Sequence, residues 1–349
     1  MKQRITTDFG IQVEAAAPVI ISASRATDIP AFYAQWFFNR LAKGYCVWYN
    51  PFNRQQKMYV SFANCKVVVF WTKNPAPILP YLHLLDERGI HYYFQVTLND
   101  YEREGFEPGV PLLEKRIEAF KQLSDRIGHE RVIWRFDPLM LTPELTPRCL
   151  LSRIWNVGNA LKGYTDKLVF SFVDVKTYRK VQNNLVKEIS CFSRNNVEIA
   201  EPNAMQRQEL VVELTKLRDV WHEEGWKLTL ATCAEDTDLE VYGIEHNSCI
   251  DRNLMMRLFA DDEELMYYLN YGQLPERDIF GRYIPKKKKD AKAFKDKGQR
   301  SVCGCMMSKD IGIYDTCRHF CVYCYANAGR EKVKKNAAKH LEEGESLIG

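Results

Sequence analysis

Lys66-Val67-Val68-Val69-Phe70-Trp71-Thr72-Lys73-Asn74-Pro75 is a run of β-branched and aromatic side chains that breaks into a polar, proline-ended turn. That pattern predicts a buried strand. Five further runs repeat it: Val19 to Ser22, Tyr92 to Val96, Arg131 to Arg135, Lys167 to Ser171 and Lys227 to Leu230. Helical stretches lie between them, as in Leu112 to Arg126, where Leu113, Ile117, Phe120 and Leu123 recur at helical spacing. Strand–helix alternation predicts a parallel sheet covered by helices. A βα unit of an eight-fold barrel needs roughly 30 residues, so six units with insertions fit into residues 1–245 as a partial (β/α)6-type TIM barrel.

Parity along these strands separates two faces. Val132, Trp134 and Phe136 oppose Ile133, Arg135 and Asp137; Tyr92, Phe94, Val96 and Leu98 oppose Tyr93, Gln95, Thr97 and Asn99. Trp71 and Lys73 fall opposite Val68 and Phe70, while the first strand offers Ser22 and Ser24 and the sixth Thr229, Cys233 and Glu235. The apolar faces should meet helices. The other faces are too polar for a filled barrel core of Val, Ile and Leu, so they are expected to line a ligand cavity. Satisfied buried polar groups are the alternative, and Arg135 and Asp137, two apart on one strand, could simply pair with each other.

Composition narrows the setting. Of 349 residues, 49 are Lys or Arg and 45 Asp or Glu, a net charge of +4, too small to argue for a nucleic-acid partner by itself. No apolar run approaches the roughly 18 residues that span a bilayer. The stretch Ala15 to Ala23 follows Glu14 and lacks a basic leader, so a cytoplasmic protein with no membrane partner is expected. Arg282 to Arg300 holds seven Lys, two Arg and two Asp, with Lys286 to Lys289 consecutive. Such a run reads first as a solvated linker and second as a phosphate-binding strip for nucleic acid. Residues 246–300 are therefore expected to be a helical segment and Lys-rich linker, and residues 301–349 a C-terminal, cysteine-bearing segment that completes the barrel.

Cysteine is the unusual residue. The chain has 11, an odd number, which argues against a disulfide framework and for metal or redox chemistry. Five of them crowd between Cys303 and Cys324, ending in Cys317-x3-Cys321-x2-Cys324. Three thiols on one short loop suit an iron–sulfur cubane, with thiolates on three irons and the fourth iron open. Zinc is the alternative, with Cys305, Cys317, Cys321 and Cys324, or His319, closing a tetrahedron.

The spacing, with aromatic Tyr323 before the last cysteine, resembles the signature of radical S-adenosylmethionine (SAM) enzymes. Tyr314-Asp-Thr-Cys317 to Cys324-Tyr325-Ala326 is similar to the spore photoproduct lyase-like branch. So are Ser24-Arg-Ala-Thr27-Asp28 to Tyr33, Trp71-Thr72-Lys73, and Val96-Thr97-Leu98 followed by Phe106-Glu107-Pro108-Gly109. In that superfamily the cluster loop precedes the barrel strands; here it follows them, which resembles a circular permutation. The whole chain also resembles a bacterial family known only as a domain of unknown function, DUF1848. The radical SAM resemblance implies a [4Fe–4S] cluster on Cys317, Cys321 and Cys324 that cleaves SAM to a radical acting on an unidentified substrate, and an electron donor such as flavodoxin or ferredoxin. It implies SAM contacts from Lys73 and Thr97. Ser24, Asp28 and Gln95 are further candidates for the cofactor, and Arg135, Asp137 and Glu235 for the chemistry.

Four cysteines remain with a plausible common purpose. Cys233 closes the sixth strand, Cys249 follows in a loop beside His246, and Cys303-Gly-Cys305 precedes the cluster loop. Together they are expected to carry a second, auxiliary [4Fe–4S] cluster; small buried residues and a local zinc contact are the alternatives.

Overall fold

The computed structural model describes residues 2–53, 55–233, 235–284, 287–300 and 302–348, so Lys286 of the basic run lies outside the described residues. Its strands are β1 (Lys2–Thr6), β2 (Gln12–Ala16), β3 (Ile20–Ala23), β4 (Tyr45–Tyr49), β5 (Lys57–Ser61), β6 (Val67–Thr72), β7 (His91–Thr97), β8 (Val132–Leu139), β9 (Lys167–Phe172), β10 (Thr229–Thr232), β11 (Glu245–His246) and β12 (Lys309–Asp310). Eight of them form one sheet in the order β11-β10-β9-β8-β7-β6-β3-β12, every neighbouring pair parallel. From β3 to β11 each strand of this sheet lies beside the one before it in the chain. β12 breaks that progression by returning to the opposite edge, where Lys309 faces Ile21 and Asp310 faces Ser22. The molecule is thus a mixed α/β chain built on a large parallel sheet.

A second sheet, β1-β2-β5-β4, was not foreseen. It pairs β1 with β2 and β4 with β5 antiparallel, and β2 with β5 parallel. Its strands β1 and β2 carry Lys2, Gln3, Arg4, Gln12 and Glu14 in five-residue strands, a pattern weaker than the apolar runs of buried parallel strands. Arg40 ties it to the helix Ala34–Lys43: the guanidinium is fully buried, pairs with Asp8 at 2.6 Å and donates to the Tyr45 carbonyl at 3.0 Å.

The parity read from sequence assigns the faces correctly. Val68, Phe70, Tyr92, Phe94, Val132, Trp134 and Phe136 join one large core with Phe37, Phe120, Ile154, Leu214 and Trp221 from the helices. These helices start where local chemistry favours them. Thr146 caps the amide of Cys149 with Pro147 at the first position, and Asn203 with Gln206 forms a reciprocal capping box.

The opposite face departs from a uniformly wet interior. Val67, Val69 and Tyr93 pack under Ile250, Met255, Phe259, Leu265, Leu269, Phe294 and Met306, and Ile133, Val169 and Ala231 form a neighbouring apolar group. Gln95, Thr97, Arg135 and Asp137 lie toward the C-terminal ends of their strands, while at the opposite end His91 opens β7 stacked on Phe259 and 3.1 Å from Asp262. Alternation reports the face of a residue and not its depth along the strand. The covering residues include Phe294 from within the basic run, 2% exposed, whose carbonyl accepts the Met307 amide at 2.8 Å. Among the described residues no helix is long and apolar enough to cross a membrane.

Helix Pro147–Leu161 approaches helix Ala204–Glu223 through Gly158. Alanine normally favours a helix over glycine by about 1 kcal/mol. Here a Cβ would lie 2.3 Å from the ring of Trp221, which is fully buried and stacked on Trp155 at 5.4 Å. Overpacking costs typically about 1–3 kcal/mol, so the clash outweighs the propensity. Gly158→Ala is expected to destabilise the fold by about 1 kcal/mol, read as a lower urea midpoint at unchanged slope.

Candidate metal and cofactor site

The C-terminal ends of β3, β6 and β7 converge on the cysteine loop. Asp28, just after β3, is buried and must find donors for its carboxylate. It accepts the Ala31 amide at 2.8 Å and the Lys73 amide at 2.7 Å, and faces His319 Nε2 at 2.7 Å. One side chain thus ties β3, the end of β6 and the cysteine loop together. Lys73 Nζ lies 2.8 Å from Glu107 Oε1 and 3.0 Å from the Tyr323 hydroxyl, and Tyr323 also donates to Glu107. Burial pushes the Glu107 carboxyl up, but Lys73, Arg116 and the bonds from Lys73 and Tyr323 outweigh it and hold the carboxyl below its ordinary range. Burial works against the Lys73 charge, while Glu107 and Cys321 more than offset that and raise its pKa.

The loop itself is held by backbone. The Val322 amide donates to the Phe106 carbonyl at 3.0 Å, and the Gly109 amide to the His319 carbonyl at 2.9 Å. A Cβ on Gly109 would stand 2.2 Å from the Arg318 carbonyl oxygen, so only glycine permits this approach. Both ring nitrogens of His319 are engaged, Nε2 with Asp28 and Nδ1 with the Gly109 carbonyl at 3.2 Å, which leaves the ring fixing the loop and takes it out of the zinc alternative. Cys317, Cys321 and Cys324 are each half-buried. Burial pushes the Cys317 thiol up to about 12 and raises Cys321 as well. Such thiols become thiolates when a bound cation replaces the proton. Among the described residues no three His, Cys, Asp or Glu side chains already stand in a metal-holding arrangement. In kind the donors fit an iron–sulfur cluster: three thiols on one loop, with the Lys73 cation close enough to Cys321 to depress its rise.

A second polar group lies toward β8 and β10. Arg135 donates to Asp137 Oδ2 at 2.5 and 3.2 Å, to Gln95 Oε1 at 3.2 Å and to Cys249 Sγ at 3.2 Å. Burial disfavours its charge, but Cys249, Asp137 and Cys233 around it dominate and keep its pKa above the ordinary value. Cys249 Sγ lies 3.5 Å from Cys233 Sγ and in reach of Cys305, which in turn meets Cys303. Asn99 joins the two groups. Its amide donates to Glu107 at 2.8 Å and to the Asp137 carbonyl at 3.1 Å, and its oxygen accepts the Asp137 amide at 2.8 Å.

Residues 20–326 match the family model described as a domain of unknown function, DUF1848. The chain belongs to the DUF1848 family. No curated protein matches it. The matched segment contains the whole eight-stranded sheet, the four-thiol group and the cysteine loop, and leaves out β1 and β2.

Within this DUF1848 chain the residues singled out from sequence divide between the two groups. Asp28 and Lys73 stand at the cysteine loop, whereas Gln95, Arg135 and Asp137 stand with Cys233, Cys249, Cys303 and Cys305. Ser24 accepts the Ala26 amide at 2.8 Å, shaping the turn after β3. Thr97 ends β7, half-buried between the groups. Glu235 turns away: it accepts the Phe172 amide at 2.9 Å and lies 3.7 Å from Arg207, and burial raises its pKa. Sequence reasoning did not single out Glu107 or Asn99 for a role. Glu107 lies on a loop where strand parity says nothing; its signals are a lone carboxylate in the glycine- and proline-bearing stretch Phe106 to Gly109 and the family resemblance of that stretch, neither of which gives it a role.

Gly109→Ala should displace the cysteine loop. Alkylation of Cys317, Cys321 and Cys324, followed by mass spectrometry in native buffer, is expected to be several-fold faster than in the wild type; equal rates would mean that the loop is held independently of this contact. Glu107 predicts a pH effect. Its folded carboxyl is lowered, so its contribution is full above the unfolded value of about 4.3 and is lost as pH falls through the folded value. Glu107→Gln should flatten the acid limb of the urea midpoint plotted against pH.

Proposed function

We propose that this DUF1848 chain is a radical SAM enzyme acting in the cytoplasm on a substrate still to be identified. Cys317, Cys321 and Cys324 would hold a [4Fe–4S] cluster, which when bound would supply the electron for reductive cleavage of SAM and so for hydrogen abstraction from that substrate. The observation that carries this reading is the docking of the three-cysteine loop against the C-terminal ends of β3, β6 and β7, the end of a parallel sheet where ligands bind. The progression of parallel strands supports a partial (β/α) barrel. β12 supports the permutation: it leads directly into the cysteine loop and occupies the place before β3 that the resemblance gives to the family's first strand.

The chain's own residues would then divide the work. Lys73 presents a charged ammonium beside the loop for the SAM carboxylate, and Glu107 and Tyr323 keep it charged and aimed. Thr97 adds a polar contact at the neighbouring strand end. The Arg135–Asp137 pair, with Ser171 donating to Asp137, offers fixed polar groups to a substrate. The apolar layer beneath them, from Val67 and Tyr93 to Phe294, excludes water from below. Half-exposed cysteines leave the loop within reach of an electron donor of the flavodoxin or ferredoxin class.

Replacing Cys317, Cys321 and Cys324 together by Ala should remove the iron bound at this loop and abolish 5′-deoxyadenosine formation from SAM under dithionite. A triple variant that still cleaves SAM would refute the assignment.

A further inference from the structure

The second cysteine group has features that the catalytic reading does not use. Cys233 ends β10, Cys249 sits in the loop after β11, and Cys303-Gly304-Cys305 returns from some fifty residues later in the chain. These segments are locked together by backbone. The Met306 amide donates to the Ile250 carbonyl at 3.0 Å and the Asp296 amide to the Cys305 carbonyl at 2.8 Å. Gly304 comes so near that a Cβ would lie 2.5 Å from Ser248 Oγ.

Donors converge on the sulfurs. Cys249 Sγ receives Arg135 Nη1 at 3.2 Å and Asn247 Nδ2 at 3.5 Å, and Cys305 Sγ receives the amides of Cys249 at 3.2 Å and Ile250 at 3.5 Å. A neutral thiol is a weak acceptor, whereas a thiolate is a strong one, so this environment is built for anionic sulfur. The surrounding charge agrees. Besides Arg135, the Arg25 guanidinium is close enough to Cys305 and Cys249 for both to favour its charge, yet its Nη2 is buried without a hydrogen-bond partner, and Nη1 reaches Asp296 only at 3.8 Å. Arg135 is already paired with Asp137, but beside neutral thiols Arg25 would be left poorly balanced.

We infer that Cys233, Cys249, Cys303 and Cys305 form a closed four-thiolate site for a single zinc ion, separate from the cysteine loop. Spacing favours zinc over the auxiliary cubane expected from sequence. With zinc–sulfur bonds of about 2.3 Å, a tetrahedron sets its sulfurs about 3.8 Å apart, close to the 3.5 Å between Cys233 and Cys249. A cubane places each thiolate outside a different iron, which spreads the four sulfurs much wider. The thiols form a file, and none of the described residues makes a ready three-ligand metal group, so the ion itself draws the end members inward. The occupied site would carry two net negative charges, with Arg25 beside it and Arg135, shared with Asp137, donating to Cys249. Its role is structural: it fastens the segment covering the sheet's second face to β10 and to the strand leading into the catalytic loop.

The inference stands apart from the catalytic reading, and one set of metal analyses separates their failures. Protein purified anaerobically should contain about one zinc per chain. The Cys303→Ser/Cys305→Ser variant should lose that zinc and keep its loop iron, while the Cys317/Cys321/Cys324 triple Ala variant should keep the zinc. Cobalt added to chelator-stripped wild-type protein should give the intense thiolate-to-metal absorption of a tetrahedral sulfur site, which provides a readout if the double variant fails to fold. Three results would overturn the inference. The first is iron approaching about eight per chain without zinc, which would mean a second cluster. The second is zinc retained by the double variant. The third is a metal-free site with Cys233 and Cys249 joined as a disulfide.

Discussion

The buried contact among Lys73, Glu107 and Tyr323 holds the two ends of the chain in one site. Lys73 is at the end of β6, Glu107 on the loop after β7, and Tyr323 inside the cysteine loop, some 250 residues from Lys73. A buried carboxylate without a cation is costly, and a buried ammonium without a carboxylate equally so. Neither partner can leave without stranding the other. The loop is therefore tied to the sheet by charge as well as by backbone, and the Asp28–His319 hydrogen bond is a further tie between them. Such pairs contribute less to net stability than to fixing one arrangement.

Much of the architecture was legible because burial on a sheet leaves a two-residue rhythm. Val68, Phe70, Trp134 and Phe136 were assigned to the helix-facing side by parity alone, and they are there. Parity failed where a different constraint ruled. Val67, Val69 and Ile133 share a face with Lys73 and Arg135, yet a later part of the chain covers them, and no local pattern announces that a distant segment will do so. In the second, mixed sheet β1 and β2 were missed for the opposite reason: they are short and half exposed, so their sequence resembles ordinary surface.

The site divides in the same way. Cysteine spacing located the loop, and polar strand ends located Lys73, Arg135 and Asp137. Of the residues that join these pieces, Asn99 was placed on the polar face by parity without its partners, and Glu107, on a loop, carries no periodicity; their joining role was visible only once the loops were folded. Spacing in sequence also says nothing about spacing in space. Cys233 and Cys249 have 15 residues between them, yet their sulfurs are 3.5 Å apart.

The return of β12 to the edge beside β3 sets an order of events during synthesis. The ribosome delivers β3 early and its partner almost three hundred residues later. Until then, one edge of β3 exposes unpaired amides and carbonyls, the surface on which sheets add stray strands. The cysteine loop emerges only after the elements that receive it have had time to form. Any metal held by that loop would therefore be loaded after the strands of the large sheet have emerged, and a chain lacking β12 would leave this edge of β3 open.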